Sequence, residues 1–160
     1  MVMLKLTQEF KEFLNLLESG KIEYLVIGGY AVGLYGHVRP TKDIDLWVSI
    51  EPENVDRIQA ALIQFGFPPS SVALPLFSDQ TTMLRIGFPP NRIELISKIA
   101  GVEFKDCYPQ MQRLMLDDVF VPVISLNDLR KNKLATGRPQ DAGDVQKLDA
   151  RRRLESNVEP

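Results

Sequence analysis

One segment constrains the fold of this chain more than any other. The short apolar run Glu23-Tyr-Leu-Val-Ile27 stops at Gly28-Gly29, and thirteen residues later comes Asp43-Ile-Asp45-Leu-Trp-Val48. The run reads as a buried strand ending at a glycine turn, followed by a short helix over Tyr30 to Tyr35 and a loop through Gly36-His37-Val38-Arg39-Pro40. From Lys42 to Ser49 the chain alternates, with Ile44, Leu46 and Val48 on one face of a second strand and Asp43, Asp45 and Trp47 on the other. Strand, turn, helix, loop and strand in quick succession predict a mixed α/β (α+β) fold.

Eleven prolines and ten glycines divide the rest into short elements. Thr7 caps a helix whose Phe10, Phe13, Leu14 and Leu17 share a face and which stops at Gly20. Pro52 opens a second helix carrying Val55, Ile58, Leu62 and Phe65, closed by Gly66. Residues 68–78 read as loop. Met83 to Phe88 and Arg92 to Ile96 read as strands split by Pro89-Pro90-Asn91. Gln112 to Leu116 and Val119 to Ile124 form a hairpin turning at Asp117-Asp118. Ser125 caps a helix that ends near Gly137, and a last helix runs from about Gln140 toward Arg152. The expected architecture is a mixed β-sheet flanked by helices, with a C-terminal helix pair. At 160 residues, one domain over 1–154 with a flexible tail over 155–160 follows from a prior of about 100–200 residues per domain.

Charge and cysteine usage exclude several classes. Lys plus Arg number 19 against 21 Asp plus Glu, a net charge of −2, so no broad nucleic-acid surface is expected. The single Cys107 rules out a disulfide-stapled scaffold, and with the single His37 it makes a structural zinc site untenable. Lys5 and Glu9 interrupt any signal-peptide core, and the charge-free stretch from Tyr24 to Gly36 is shorter than the roughly 20 residues a membrane span needs. A soluble, cytoplasmic protein is expected.

The chemistry concentrates in the opening segment. Glycines let a ligand approach the backbone, and free N–H groups at a helix start suit phosphate oxygens. Asp43 and Asp45, two apart on a strand, project from one face at roughly 6.6–6.8 Å along the chain. Such hard oxygen ligands suit Mg²⁺. Taken singly, a Gly-Gly is most often a turn and an Asp-x-Asp a solvated strand face; their combination at this spacing favours function. Arg92-Ile-Glu94-Leu-Ile96 alternates too, putting Arg92 and Glu94 on one face. By itself Glu94 reads as an exposed strand charge paired with Arg92 or Arg85.

Ile27-Gly28-Gly29 and Asp43-Ile44-Asp45-Leu46 resemble the signature of the nucleotidyltransferase superfamily with a polymerase-beta-like fold. The nearest likeness is to its small prokaryotic members: minimal nucleotidyltransferases, aminoglycoside-nucleotidyltransferase-like proteins and AbiEii-type abortive-infection toxins. Arg39-Pro-Thr41-Lys42-Asp-Ile-Asp45 resembles the Arg-x-Thr-x-Asp-h-Asp loop of those members. Val121 to Leu148, with Lys133, Arg138, Asp141 and Asp144, resembles their closing strand and helix pair. The likeness spans about residues 22 to 149.

The resemblance implies a triphosphate held by Gly28 and Gly29, Mg²⁺ (one or two ions) bound by Asp43 and Asp45, and Glu94 as third ligand and candidate base where many members have Asp. Arg39, Thr41, Lys42, Lys133 and Arg138 are the implied phosphate-binding residues, Lys133 foremost. The implied reaction moves an NMP from an NTP to a hydroxyl of an RNA end, a protein or a small molecule. A catalytically weak toxin or antitoxin component, with a protein partner, and a nucleotide-binding regulatory module are the alternatives. Trp47 is read as stacking a base or packing in the core, His37 as a loop residue, Cys107 as inert, and Asp141 and Asp144 as orienting Lys133 or Arg138.

Overall fold

The computed structural model describes residues 4–41, 43–88 and 92–158. Lys42 and the Pro89-Pro90-Asn91 break therefore lie outside the described residues. The elements in chain order are α1 (Gln8–Ser19), β1 (Tyr24–Ile27), α2 (Gly28–Leu34), β2 (Ile44–Val48), α3 (Pro52–Phe65), β3 (Met83–Ile86), β4 (Ile93–Ile96), α4 (Phe104–Cys107), β5 (Gln112–Leu116), β6 (Val119–Val123), α5 (Leu126–Thr136) and α6 (Pro139–Val158). The expected mixed α/β architecture with a terminal helix pair is what the chain adopts.

Local chemistry starts and stops these elements. The Thr7 side chain accepts a hydrogen bond from the Phe10 amide at 3.2 Å, capping α1. Its apolar residues Phe10, Phe13, Leu14 and Leu17 are all buried. Phe13 meets Phe65 of α3 edge-on at 5.1 Å between ring centres. Ser125 caps α5 by accepting from the Asp128 amide at 3.1 Å, and Gly137 ends it in the left-handed conformation. Buried Asn54 joins two strand ends, accepting from the Glu23 amide and donating to the carbonyls of Glu23 and Ser49.

The strands form one sheet in the order β3-β4-β2-β1-β6-β5. β1 pairs antiparallel with β2 and parallel with β6, while β2 pairs parallel with β4. These directions decide where chemistry can gather. The C-terminal ends of β1 and β6 and the N-terminal ends of β2 and β4 all reach the same end of the sheet. Gly28 leaves β1 there, Asp45 and Glu94 enter there, and Ser125 launches α5 from there. A hydrogen bond of 2.7 Å from the Tyr35 hydroxyl to the Ile124 carbonyl ties the end of α2 to that launch point.

Three elements differ from the sequence expectation. α2 begins at Gly28 and not at Tyr30, so the glycines form its first turn. The four-residue helix α4 was not expected, and it covers Trp47, whose ring meets Phe104 edge-on at 5.2 Å. Trp47 is 1% exposed and packs in the core, so it offers no face to a base. Finally, α6 continues past Arg152 and past the boundary expected at 154, as far as Val158. Arg, Leu and Glu are good helix formers, and Arg151 pairs with Glu155 one turn on at 3.5 Å. Residues 159–160 of the expected tail lie outside the described residues.

Candidate active site

The parallel pairing of β2 and β4 sets Asp45 directly opposite Glu94. The antiparallel pairing of β1 and β2 sets Asp45 opposite Ile27, the residue before Gly28. Two strand ladders therefore bring Gly28, Asp45 and Glu94 side by side. Gly28 has φ +66°, and a Cβ there would collide with Asp45 Oδ2, so both its conformation and its emptiness serve the neighbouring carboxylate. A Cβ on Gly29 would lie 2.8 Å from the Thr41 hydroxyl, and the Thr41 hydroxyl donates to the Asp43 carbonyl at 3.3 Å. Residues 39–41 are thus draped against the start of α2.

Crowding shows in the acids themselves. Glu94 is only 8% exposed, which does not suit a solvated strand charge. The Asp45 carboxyl is pushed up to about 7, first by burial, then by a hydrogen bond with Glu94 and by the negative charges of Glu94 and Asp43; Lys133 pulls the other way. Asp43 is drawn elsewhere, because Arg92 Nη2 donates to its Oδ2 at 2.7 Å. Among the described residues no three His, Cys, Asp or Glu side chains form a ready metal-binding group. Of the three acids, Asp45 and Glu94 are brought together, while Arg92 holds Asp43. Asp43 Oδ1 and Asp45 Oδ1 are nonetheless buried with no hydrogen-bond partner.

The cations from the C-terminal helices are not free. Lys133 is 5% exposed and contacts Asp141 at 2.8 Å and Asp144 at 3.1 Å. Arg39 engages Asp144 through Nε and Nη2 at 3.0 and 3.1 Å. Arg138, mostly exposed, reaches Asp141 at 2.8 Å, and the Thr136 hydroxyl donates to the same carboxylate. Burial alone would push Asp141 and Asp144 up, but hydrogen bonds from Lys133, Arg39, Thr136 and Arg138 outweigh it and hold both below the usual carboxylate value. His37 lies 3.9 Å from Asp144. Lys133 still acts on Asp45 through space, so this network borders the acid site.

Reading the sequence did not anticipate that Arg92 grips Asp43, or that one carboxylate, Asp144, serves both Arg39 and Lys133. The alternation that put Arg92 on the face of Glu94 was the available signal for the first. The spacing of Asp141 and Asp144, on one face of α6, was the signal for the second.

The raised Asp45 carboxyl makes a pH prediction for metal-free protein. Unfolded Asp titrates near 4, so between about pH 4 and about pH 7 the folded state holds a proton the unfolded state has lost. Stability from this group therefore falls as pH rises through that window. Asp45→Asn mimics the protonated form. In chelator at pH 8 it is expected to be more stable than wild type by on the order of 2 kcal/mol, and equal to it near pH 4, in urea titrations.

Comparison with known proteins identifies a family and similar folds. Residues 2–158 match the model of a family described as nucleotidyltransferase of unknown function (DUF6036). The fold is similar to that of the candidate nucleotidyltransferase TM1012 from Thermotoga maritima, with TM-score 0.59 and 18% identity over 86% of this chain and 88% of that one. It is also similar to the lincosamide antibiotic adenylyltransferase LnuA, solved with lincomycin bound, with TM-score 0.52 and 13% identity over 91% of this chain and 98% of that one. At such identities the likeness speaks for the fold. No curated protein matches the sequence. Among the described residues no helix is long and apolar enough to cross a membrane. By its sequence match over nearly its whole length, the chain belongs to the DUF6036 family of nucleotidyltransferases.

Proposed function

We propose that the chain transfers an NMP from an NTP to a hydroxyl acceptor in a Mg²⁺-dependent reaction. The observation that carries this reading is the side-by-side placement of Asp45 and Glu94 against the Gly28 turn. The residues suit a divalent cation, because Asp43 Oδ1 and Asp45 Oδ1 are buried acceptors that lack a donor, and hard oxygens are what Mg²⁺ takes. Asp43, Asp45 and Glu94 would hold it. When bound, Mg²⁺ neutralises phosphate charge and lowers the pKa of the acceptor hydroxyl.

In the reaction the acceptor oxygen forms a bond to the α-phosphorus while the bond to the leaving pyrophosphate breaks. Gly28 keeps the surface beside Asp45 free of a side chain, so the triphosphate can lie close to the backbone of the turn that it forms with Gly29. Glu94 accepts the proton of the acceptor hydroxyl, a role its position opposite Asp45 supports. The Thr41 hydroxyl lies at the same turn and can donate to phosphate. Lys133 and Arg39 contribute positive potential from fixed positions, while Arg138, with the most open side chain of the three, is the best suited to meet the leaving pyrophosphate. Lys42 belongs to the proposal through its place in the sequence alone.

The test is transfer of label from α-labelled NTPs to RNA, to co-purified protein and to small hydroxyl compounds. The likeness to LnuA, solved with lincomycin bound, adds antibiotics to the acceptor panel. Transfer that requires Mg²⁺ and stops with chelator supports the proposal. Absence of both transfer and NTP binding overturns it, and NTP binding without turnover on any acceptor turns the reading to a regulatory module. Copurification of a small protein that blocks transfer would support a toxin–antitoxin pair.

A further inference from the structure

The proposed reaction has no use for Arg92, yet this residue makes the shortest ion pair in the acid site. It precedes β4, on the face of Glu94, and spans two of the three acids. Its Nη2 donates to Asp43 Oδ2 at 2.7 Å, and its Nε lies 3.7 Å from Glu94 Oε1. That Nε is buried and has no hydrogen-bond partner. Arg85 also approaches Glu94, at 3.3 Å, but its side chain is 62% exposed and it does not reach Asp43.

Two of the Arg–Asp pairs close to the site are built differently. Arg39 grips Asp144 with two nitrogens on two oxygens, and Asp144 is 3% exposed. That is a bidentate, closed latch. Arg92 makes one hydrogen bond to Asp43 and leaves a buried N–H unsatisfied, an arrangement that is easier to break because part of its bonding capacity is already lost. The carboxylate it occupies is also one that the proposed metal site needs. Arg92 holds Asp43 Oδ2 and the cation would take Oδ1, so two positive charges share one carboxylate, repel each other and weaken each other's hold.

We propose that Arg92 is an internal counter-cation: it holds Asp43 while no divalent ion is present and releases it when one binds. This inference rests on the metal role proposed above for Asp43, Asp45 and Glu94. Metal entry is then opposed by the Arg92–Asp43 pair, and removing Arg92 strengthens metal binding, whereas damage to the site weakens it.

The probe is Mn²⁺ alone, titrated without nucleotide and followed by the loss of free-ion electron paramagnetic resonance signal. Arg92→Gln is expected to bind Mn²⁺ about three- to fivefold more tightly than wild type, the upper part of the range that an ion pair gives. Arg85→Gln should change affinity by less than about twofold, as an exposed pair does. Asp45→Asn should lose binding. Affinity in Arg92→Gln equal to or weaker than wild type, with binding still lost in Asp45→Asn, overturns the counter-cation and leaves the metal site standing. No binding by wild type, or binding indifferent to Asp45→Asn, overturns the metal site and the counter-cation with it. The wild-type protein supplies a second reading that does not depend on a variant folding. On saturation with Mg²⁺ the Arg92 Nε–Hε resonance should move while that of Arg39 stays; an unmoved Arg92 resonance overturns the proposal.

Discussion

Gly28→Ala is expected to lower nucleotidyl transfer by about 100-fold or more, because small displacements at a reacting centre have effects of that size. Two independent features make this position intolerant. Its φ of +66° is one that L side chains adopt at a cost of about 1–2 kcal/mol. The added methyl would also meet the Asp45 carboxylate, with Asp45 Cβ 3.2 Å away. Asp45 cannot step aside, because its backbone is paired with Ile27 on one side and Glu94 on the other. The side chain must rotate instead, and the oxygens leave their places beside Glu94. Gly29→Ala is the informative control. Its methyl meets Thr41 Oγ1, which can rotate, and Thr41 Cβ at 3.0 Å, which needs only a small shift of residues 39–41, in an ordinary backbone conformation, so a loss of less than about tenfold is expected. Label transfer compared with thermal melting separates displacement of the acid from unfolding.

Asp144→Ala is expected to destabilise the protein by about 3 kcal/mol, the range for removing one partner from a buried ion pair. Asp144 is 3% exposed and satisfies Arg39 and Lys133 together. Without it, Arg39 loses its bidentate partner, and Lys133, 5% exposed, keeps only Asp141. The latch between residues 36–41 and α6 opens at the same time. Changing Lys133 to Met in the Asp144→Ala background should recover part of the loss in urea titrations, since an apolar group needs no counter-charge. The same carboxylates give the protein an acid limit. Asp141 and Asp144 are held below their unfolded value, so their contribution is complete above about pH 4 and disappears as pH falls through their lowered folded values.

How much of this was legible in the sequence depends on the range of the forces involved. Gly28, Asp43 and Asp45 could be read because turn chemistry and strand alternation act over a few residues. For Glu94, alternation gave the face but not the neighbour. Its place opposite Asp45 depends on a parallel crossover that runs out through α3 and returns through β3. Lys133 looked like a phosphate ligand on an exposed helix. The spacing of Asp141 and Asp144 marked them as residues that could orient it, but its burial against them across the turn between α5 and α6 is a tertiary arrangement. Trp47 was ambiguous because the element that covers it, α4, is four residues long and has no periodicity to read. Arg92 was correctly placed beside Glu94, while its stronger hold on Asp43 needed the register of β4 against the entry to β2.

The end of the sheet where Gly28, Asp45 and Glu94 meet is the proposed site of metal and triphosphate. The most direct test is an anomalous difference map from crystals grown with Mn²⁺ and a non-hydrolysable NTP. A Mn²⁺ peak bounded by Asp45 and Glu94, with the triphosphate against Gly28-Gly29, is the predicted result. Nucleotide bound elsewhere on the chain, or a nucleotide at Gly28-Gly29 with no metal contacting Asp45, would contradict the account.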